Sequence, residues 1–421
     1  IAFLDSVHSV VGGGSDFTTR PWFPQFSDTF DRIGELSGIS YVYEPNDDGV
    51  QVATSGGVLN TRADIRIGGR PIDGAFGILA FNFFPTDGDM VIDTNETSFF
   101  SSSSNNYRGV RNVIAHEHGH GLGFDHVWPR NQTKLMEGVI STAYDGLQLD
   151  DLLQLQRGYG DALEKSNGGA GNDTAANASD LGTIASGSTV SIGTDASSVS
   201  TTITPAMTDF VSIDDEGDID FFKFTVTAAS TADFTLTPKG ATYNVGASNG
   251  GDVSFNAAAQ NDLSFQILDT DMSTVLTTVS AGGLGVAEST TGLSLPAAGT
   301  YYVRVSGATT NEIQLYQLDV SATATIVNVS ADDAGDNGSN NAAADDYQIV
   351  QNGGSIEIYI NGNLSQTVSA STTIVINGSD DDDTLTIDYS AGDVIPSGGL
   401  TFNGGAGTNT IVVTGAGNVT N

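Results

Sequence analysis

Residues 116–126 read HEHGHGLGFDH and hold four of the five histidines in the chain. In a helix, residues four apart lie on the same face, so His116 and His120 would direct their imidazoles to one side. That spacing lets one zinc ion accept a nitrogen from each ring. Glu117 would then lie beside the metal, where a carboxylate can take a proton from water. The stretch therefore predicts a helix that carries a zinc site.

The glycines that follow the second histidine of the pair predict where this helix ends. Gly121 and Gly123 allow the chain to adopt positive φ and to turn. The turn would return His126 as a third ligand. Three protein ligands leave one coordination position open, which is typical of catalytic rather than structural zinc sites. His118 lies off the ligand face of the helix and is expected to be exposed.

The rest of the first 165 residues mixes helical and strand patterns. Phe26, Phe30 and Ile33 have amphipathic helical spacing, after Pro24 and before a glycine. Further helices are predicted at 107–121 and 149–157, and strands at 39–43, 63–67 and 77–84. This mixture predicts an α/β domain over residues 1–165.

Composition limits the classes of function. The chain has 421 residues, of which 51 are acidic and 14 basic, for a formal charge of −37. Such a balance argues against partners that present phosphate, namely nucleic acids and anionic membranes. No apolar run approaches the roughly 20 residues of a membrane span. The absence of cysteine excludes disulfides, thiolate metal ligands and a thiol nucleophile in this chain.

The residues after 165 are acidic, rich in glycine and typical of β-structure. Residues 166–180 are small and polar, which predicts a linker. Beyond them, short runs such as 221–226 and 301–305 alternate apolar and polar residues between turn residues. This pattern predicts an all-β sandwich over residues 166–325.

Residues 326–421 contain an internal repeat with an offset of 26 positions. The offset aligns Asn377 with Asn403, Gly378 with Gly404, Thr384 with Thr410, Leu385 with Ile411 and Ile387 with Val413. A strand, a glycine-rich turn and a second strand at a fixed period are typical of stacked β-turns. The expectation is a β-rich module of solenoid or sandwich type.

Residues from about 20 to 160 resemble the catalytic domain of matrixin-type metzincins, the family of the matrix metalloproteinases and their bacterial relatives. The resemblance rests on the histidine motif, on Met136 after it, and on LDDLLQLQRGYG at 149–160. It implies a zincin-like α/β fold. The site residues that it implies are His116, His120 and His126 as zinc ligands, Glu117 as general base and Met136 beneath the metal.

The same resemblance implies roles for acids outside the zinc motif. Asp150 and Asp151 match an acidic pair in the closing helix of the family, and they equally suit capping of a helix N-terminus. The implied calcium ligands are Asp73, Asp93 and Glu96, and the alternative is that they are solvated loop acids. The segment IDGAFGILAFNFFP at 72–85 resembles the edge strand that pairs with an extended substrate.

The chain departs from the family around the second, structural zinc site of matrixins. The matching positions hold Arg66, Gly68, Phe81 and Val91, and none of these is a zinc ligand. That site is therefore expected to be absent. Val127 stands where the family usually has serine. These departures concern the subfamily rather than the mechanism.

Residues 166–325 resemble the bacterial pre-peptidase C-terminal domain, a β-sandwich that often follows secreted proteases. DEGDIDFFKFTV at 215–226 and LPAAGTYYVRVSG at 295–307 carry the likeness. Members often bind calcium, so Asp215, Asp218 and Asp220 are candidate ligands, with an acidic turn as the alternative. Further on, GSDDDDTLT at 378–386 loosely fits a calcium-binding nonapeptide, with Asp383 at its acidic position.

Together these patterns predict a multidomain, secreted, zinc-dependent endopeptidase, with one catalytic zinc and added calcium. The expected domains are a metzincin catalytic domain at 1–165, an all-β sandwich at 166–325 and a β-rich repeat module at 326–421. The expected substrate is a peptide or protein outside the cell or at its surface. The alternative is an extracellular structural protein with an inactive metzincin-like domain, which associates with a surface, matrix or itself through the C-terminal β modules.

Overall fold

The computed structural model describes residues 17–20, 22–246, 251–307, 312–330 and 344–415. Four helices and a three-stranded sheet form its front. The helices are α1 (Phe23–Glu35), α2 (Thr97–Phe100), α3 (Arg108–Gly121) and α4 (Leu149–Tyr159). The strands are β1 (Ile67–Arg70), β2 (Ala80–Asn82) and β3 (Met90–Asp93). β3 lies in the middle, parallel to β1 and antiparallel to β2, so β2 is an edge strand of this sheet.

The sheet and α3 enclose a small apolar core. Val110, Val113 and Ile114 recur at helical spacing on one face of α3 and are almost fully buried. They pack with Met90 and Ile92 of β3. Burying an apolar side chain of this size stabilises the fold by roughly 1.5–3 kcal/mol. This packing fixes α3, and with it the histidines, against the sheet.

The helices predicted at 107–121 and 149–157 are confirmed, but the strand predictions are less accurate. Residues 39–43 form no strand, because their side chains contact the helices instead, as in the ring contact of Tyr41 with Phe30. The strand predicted at 63–67 begins only at its last residue, and within 77–84 only three residues pair. Alternation of apolar residues indicates which side chains are buried, but it does not indicate which other segment of the chain supplies the hydrogen bonds of a sheet.

Two five-stranded sheets follow the front. Their strands, with one further hairpin, are β4 (Ser179–Thr183), β5 (Ser188–Ile192), β6 (Val211–Ile213), β7 (Ile219–Val226), β8 (Ser230–Lys239), β9 (Thr242–Val245), β10 (Val253–Asn256), β11 (Ser264–Leu268), β12 (Val275–Val279), β13 (Glu288–Leu295), β14 (Gly299–Ser306) and β15 (Gln314–Ala324). One sheet has the order β12-β11-β14-β7-β4, and the other has β13-β8-β15-β5 with β6 on β15. Phe222 and Phe265 of the first sheet share a core with Phe234 and Leu318 of the second. We refer to these packed sheets as the sandwich.

The last part of the chain is also built from strands. They are β16 (Ile326–Ser330), β17 (Asp346–Asn352), β18 (Ser355–Ile360), β19 (Asn363–Ser369), β20 (Thr373–Asn377), β21 (Thr384–Asp388), β22 (Leu400–Asn403) and β23 (Thr410–Thr414). β16, β20 and β22 pair in parallel, as do β17, β21 and β23. In these ladders Asn377 pairs with Asn403 and Thr384 with Thr410. The repeat offset is thus the register of the parallel pairing, while the solenoid fold stays a prediction.

The front and the sandwich share one hydrophobic core. Leu149, Leu152 and Leu155 of α4 belong to the same buried cluster as Ile313 and Leu315 of the sandwich region. The segment predicted as a linker is also tied down: Asn172 is fully buried, and its carbonyl accepts a hydrogen bond from the N–H of Phe221. The segment is thus anchored to β7 at Asn172, whereas residues 167–170 are exposed, and the domain boundary there stays a prediction.

Among the described residues, no helix is long and apolar enough to cross a membrane.

Candidate active site

Helix α3 and the turn after it bring three histidines together. His116 and His120 lie one turn apart on α3. Gly123 then has a φ of 99°, in the left-handed region that favours glycine. The chain reverses there and returns His126 to the side of α3 that carries the first two imidazoles.

The distances between the ring nitrogens suit a single zinc ion. Nε2 of His126 lies 3.2 Å from Nε2 of His116 and 3.2 Å from Nε2 of His120. With zinc–nitrogen bonds of about 2.0–2.1 Å, two ligands of a tetrahedral ion are roughly 3.3 Å apart. Two of the three separations therefore match coordination, and all three ligand atoms lie within 4.8 Å of one another.

Hydrogen bonds to backbone oxygens select the tautomer of two of these rings. Nδ1 of His116 lies 2.7 Å from the Leu135 carbonyl, and Nδ1 of His120 lies 2.6 Å from the Phe124 carbonyl. A carbonyl can only accept, so each Nδ1 donates and each Nε2 keeps its lone pair for a metal. Burial, with the neighbouring imidazoles, lowers the pKa of His116 to about 4. The neutral ring is the form that binds metal.

Glu117 is the acid next to this donor set. Its side chain is largely buried and lines the same cleft as His120 and His126. Burial raises the pKa of Glu117 to about 7. A cation held by the imidazoles would favour the carboxylate form. Glu117 is thus a carboxylate able to hold and release a proton inside the cleft.

Met136 and Asp151 hold α3 and the turn at Met136 in place behind the histidines. Met136 is buried, and a Cβ placed on Gly119 of α3 would lie 2.5 Å from its Sδ, so the methionine packs directly against the helix. The Asp151 carboxylate accepts the N–H groups of Leu135 at 2.7 Å and Met136 at 3.0 Å. It also accepts the N–H of Gln148, which caps α4. One side chain therefore caps a helix and fixes the Met136 turn.

The expectation that His118 is exposed is wrong. Its side chain is fully buried, and Nε2 lies 2.6 Å from the hydroxyl of Tyr41. The ring also packs on Phe30 of α1, with 4.7 Å between centroids. α3 is covered by α1 on the side that faces away from the cleft, so a residue off the ligand face is still interior. Burial lowers the pKa of His118 to about 4 and keeps it neutral.

An open cleft of about 710 Å³ adjoins Glu117, His120 and His126. Its remaining lining residues are Ala80, Phe81, Asn82, Phe84, Asp125, Trp128, Arg130 and Gly246. Three of these are β2, whose edge position leaves backbone groups free to pair with an extended peptide. Trp128, Arg130 and Gly246 were not identified from the sequence. A cleft residue that follows the last ligand, such as Trp128, could have been suspected from its position.

The acids at the front loop do not gather into one cluster. Asp73 accepts the N–H of Ile78, and Glu96 accepts the N–H of Gly77 at 2.8 Å. Asp93 accepts the N–H groups of Asp73 and Asn95. Among the described residues, the groups whose ligand atoms all lie within 4.8 Å are the histidine triad and one acidic set elsewhere. The front acids therefore hold the loop through its backbone, and calcium binding by them stays a prediction.

The acidic set joins the front to the sandwich. Carboxylate oxygens of Glu164, Asp218 and Asp220 lie within 4.8 Å of one another. Burial, and then the neighbouring acids Asp220 and Asp214, raise the pKa of Asp218 to about 9. Burial, and then other acids close by, raise the pKa of Glu164 to about 7. Buried Asn172 donates to Asp220 at 2.9 Å, and its Oδ1 has no hydrogen-bond partner among the described residues.

Two of the three predicted sandwich acids thus belong to this set, and the third does not. Asp215 accepts the N–H groups of Gly217 and Asp218 and closes an acidic turn. Glu164 was missed by the sequence analysis, because it stands 54 positions before Asp218 and only the fold brings them together.

Asp383, the remaining calcium candidate, is fully buried in the repeat module. It accepts the N–H of Ser379 at 2.7 Å and the N–H of Asp345 at 3.0 Å. Its own N–H donates to Oδ1 of Asn409, which occupies the matching position of the next repeat. These contacts give Asp383 a structural role in stacking the turns, and calcium binding there stays a prediction.

Comparison with known proteins agrees with the histidine site. Residues 60–160 match the family model described as Matrixin (Peptidase_M10). The Metalloendoproteinase 4-MMP of Arabidopsis thaliana is 31% identical over 109 residues, which are 23% of this chain and 32% of that protein. The chain therefore spans about a third of the length of this plant relative. These matches support a zinc metalloprotease in general.

Two of the solved structures that match cover about a third of this chain each. The pre-peptidase C-terminal domain of a collagenase from Bacillus anthracis has 16% identity and a TM-score of 0.20, over 34% of this chain and 94% of that one. The lysozyme inhibitor PliG of Aeromonas hydrophila has 12% identity and a TM-score of 0.17, over 34% and 98%. TM-scores of this size do not establish a common fold.

Proposed function

We propose that this chain is a secreted zinc-dependent endopeptidase that hydrolyses peptide bonds of extracellular proteins. The observation that carries the proposal is the convergence of three Nε2 atoms beside buried Glu117 in an open cleft. The matrixin match over residues 60–160 supports it. Fixed Nδ1 donors, a buried carboxylate and an edge strand are each what such a reaction requires of the protein.

Each group of site residues has a separate role in the proposed hydrolysis. The three histidines hold the metal, which when bound supplies Lewis acidity to the scissile carbonyl and to water. β2 holds the substrate backbone extended across the cleft by strand pairing. Glu117 takes a proton from the attacking water and passes it to the nitrogen of the leaving amine. Met136 packs under α3 and keeps the ligands in place.

The test is a Glu117→Gln variant assayed on denatured serum albumin, with zinc content measured in parallel. Glu117→Gln should lower kcat by about 10²–10⁴-fold and keep stoichiometric zinc. Glu35→Gln, which changes an exposed acid on α1, should behave as the wild type. If the wild type holds zinc yet cuts nothing that Glu117→Gln spares, the inactive structural alternative is the better account of the domain.

We also propose that the acidic set of Glu164, Asp218 and Asp220 binds calcium. Calcium takes six to eight oxygen ligands, and carboxylates with an amide oxygen are typical of its sites. Three clustered carboxylates and the unpartnered Oδ1 of buried Asn172 offer such a set. A cation would also offset the repulsion that raises the pKa of these acids.

Calcium titration of the metal-free protein tests this second proposal. Calcium should raise the melting temperature of the wild type. Asp218→Asn should abolish that rise, whereas Asp215→Asn, the matched control outside the set, should retain it because Asn keeps an acceptor for the turn. A rise of equal size in both variants would place calcium elsewhere in the chain.

A further inference from the structure

The β9–β10 hairpin, which lies outside the two sheets of the sandwich, contributes to the wall of the active-site cleft. Gly246, at the end of β9, forms an antiparallel bridge with Trp128, two residues after the third histidine ligand. Tyr243 of β9 donates its hydroxyl to Asp150 of α4 at 2.7 Å and packs on Phe255 of β10. The hairpin is thus bound to the loop after α3 and to α4, and Gly246 lines the cleft.

Arg130 is held in this corner of the cleft. Its guanidinium lies over the ring of Trp128, 4.3 Å from the centroid. A Cβ placed on Gly138 would lie 2.9 Å from Nη2 of Arg130, so the guanidinium is enclosed between an aromatic ring and a bare backbone. Stacking of this kind removes much of the freedom of a long side chain before any ligand arrives.

Arg130 forms no ion pair with the part of the chain that the structure describes, although Asp125 lines the same cleft. No carboxylate there lies within 4.0 Å of its nitrogens, although Arg66, Arg111 and other arginines form such pairs. Arg130 instead is exposed and lines the cleft with His126. In a chain of net charge −37, a fixed and unpaired cation at the reaction site calls for an anionic partner.

We propose that Arg130 selects substrates with an Asp or Glu side chain close to the scissile bond, on the side of the cleft that Trp128 and Gly246 close. The planar fork of Arg matches a carboxylate through two parallel hydrogen bonds, which Gln in the same position of a peptide does not offer. The inference rests on the proposed peptidase function, because it names the class of substrate which that site would cut. It makes Arg130 a specificity-determining residue.

Cleavage-site mapping tests the inference in the active enzyme. Denatured serum albumin is digested by the wild type, by Arg130→Gln and by Arg20→Gln, and the new termini are identified by mass spectrometry. The wild type and Arg20→Gln should both favour acidic residues at one position near the cut, by about tenfold over their amides. Arg130→Gln should lose that preference while still cutting. A wild type without acidic preference, or a preference that survives in Arg130→Gln, overturns the inference.

A binding experiment separates this inference from the proposed function. Tryptic peptides of serum albumin are passed over immobilised, zinc-loaded Glu117→Gln protein, which needs no catalysis to retain them. Acidic peptides should be retained, and retention should fall with salt because an ion pair is screened. The double variant Glu117→Gln with Arg130→Gln should lose the selection, and Arg130→Lys should recover part of it. If the single and double variants retain acidic peptides equally, the proposed role of Arg130 is wrong even if the enzyme is active. Selective retention supports that role even if no cleavage depends on Glu117.

Discussion

Single side chains in this molecule serve more than one element at once. Asp151 satisfies three backbone N–H groups, those of Leu135, Met136 and Gln148, and so connects the Met136 turn to the start of α4. A neighbouring acid, Asp150, has a different task and receives the hydroxyl of Tyr243 from the β9–β10 hairpin. The paired acids that the sequence presents as one feature therefore hold two different interfaces of the catalytic part.

Replacement of Asp151 tests this division. Asp151→Ala would leave three buried donors without an acceptor, and each such loss costs roughly 1–3 kcal/mol. We expect the free energy of unfolding to fall by about 3 kcal/mol or more, and zinc retention against a chelator to fall with it. Asp150→Asn keeps an acceptor for Tyr243 and should cost under about 1 kcal/mol. Denaturant unfolding and zinc release measure both effects, and equal losses in the two variants would contradict the assignment.

At the same scale, the sequence predicted the ligands but not their surroundings. The spacing of His116, His120 and His126 carries its own geometry, because a helix and a glycine turn determine where the three rings point. Nothing local indicates that α1 covers His118, or that Glu164 meets Asp218. Such contacts depend on how distant segments pack, and no periodicity within one segment encodes them.

Among whole elements, the repeat was the most predictable. The alignment of Thr384 with Thr410 requires only that equivalent residues of stacked parallel strands lie side by side, and they do. Turns between the strands must also stack closely. Gly405 has a φ of 75°, and a Cβ on it would lie 2.0 Å from the carbonyl oxygen of Ser379 in the preceding turn.

Glycine replacement in two turns measures that close stacking. Gly405→Ala meets both a left-handed backbone and a backbone oxygen, so unfolding of the repeat module should become easier by more than about 2 kcal/mol. Gly353 has a φ of 63° but open space around its Cβ position. Gly353→Ala should therefore show only the backbone cost of about 1 kcal/mol. If both changes lower the melting temperature equally, contact between the turns does not contribute to stability.

The acidic set gives the junction between α4 and the sandwich a pH dependence in the absence of metal. Burial and neighbouring acids raise the pKa of Asp214 to about 6, of Glu164 to about 7 and of Asp218 to about 9. Above the ordinary carboxyl pKa near 4, the folded state thus holds protons that the unfolded state has lost. Stability contributed by these groups is full at low pH and is lost as pH rises toward the raised values.

Buried His116 and His118, whose pKa is lowered to about 4, act in the opposite direction below the ordinary histidine pKa near 6.5. Above that value we expect the melting temperature in chelator to fall as pH rises toward the raised pKa of Asp218, and excess calcium to remove most of that fall. Because the net charge of −37 also lowers stability as acids ionise, a matched comparison is needed. Asp218→Asn should flatten the pH dependence in chelator, whereas Asp28→Asn, which changes an exposed acid on α1, should leave it steep. A pH dependence in chelator that is equally steep in Asp218→Asn and in the wild type would show that these acids ionise freely in the fold.

At the scale of the whole molecule, the front shares part of its hydrophobic core with the sandwich region. Leucines of α4 pack into one cluster with Phe210, Ile313 and Leu315 of the sandwich region, and the Trp128–Gly246 bridge crosses the same boundary. The sequence placed a linker here because small polar residues usually mean solvent exposure. In this chain one of them, Asn172, bonds to β7, and the apolar positions of α4 find partners more than 50 residues away.

This shared core predicts that the catalytic part depends on the sandwich for stability. A fragment of residues 1–165 would expose the α4 leucines to water, and truncating even one such buried leucine to alanine costs about 2–5 kcal/mol. Since a domain of this size is stable by only about 5–15 kcal/mol, the fragment should unfold at low denaturant and lose zinc. A fragment of residues 1–325 should keep the melting transition and the peptidase activity of the whole chain.

Point variants of the whole chain test the same shared core. Leu315→Ala should lower the stability of the zinc site, although Leu315 lies far from it in sequence. Ile376→Ala, which truncates a core residue of the repeat module, should not. Zinc retention of fragment 1–165 equal to that of the whole chain would show that the catalytic part folds alone and that the shared core adds nothing to it.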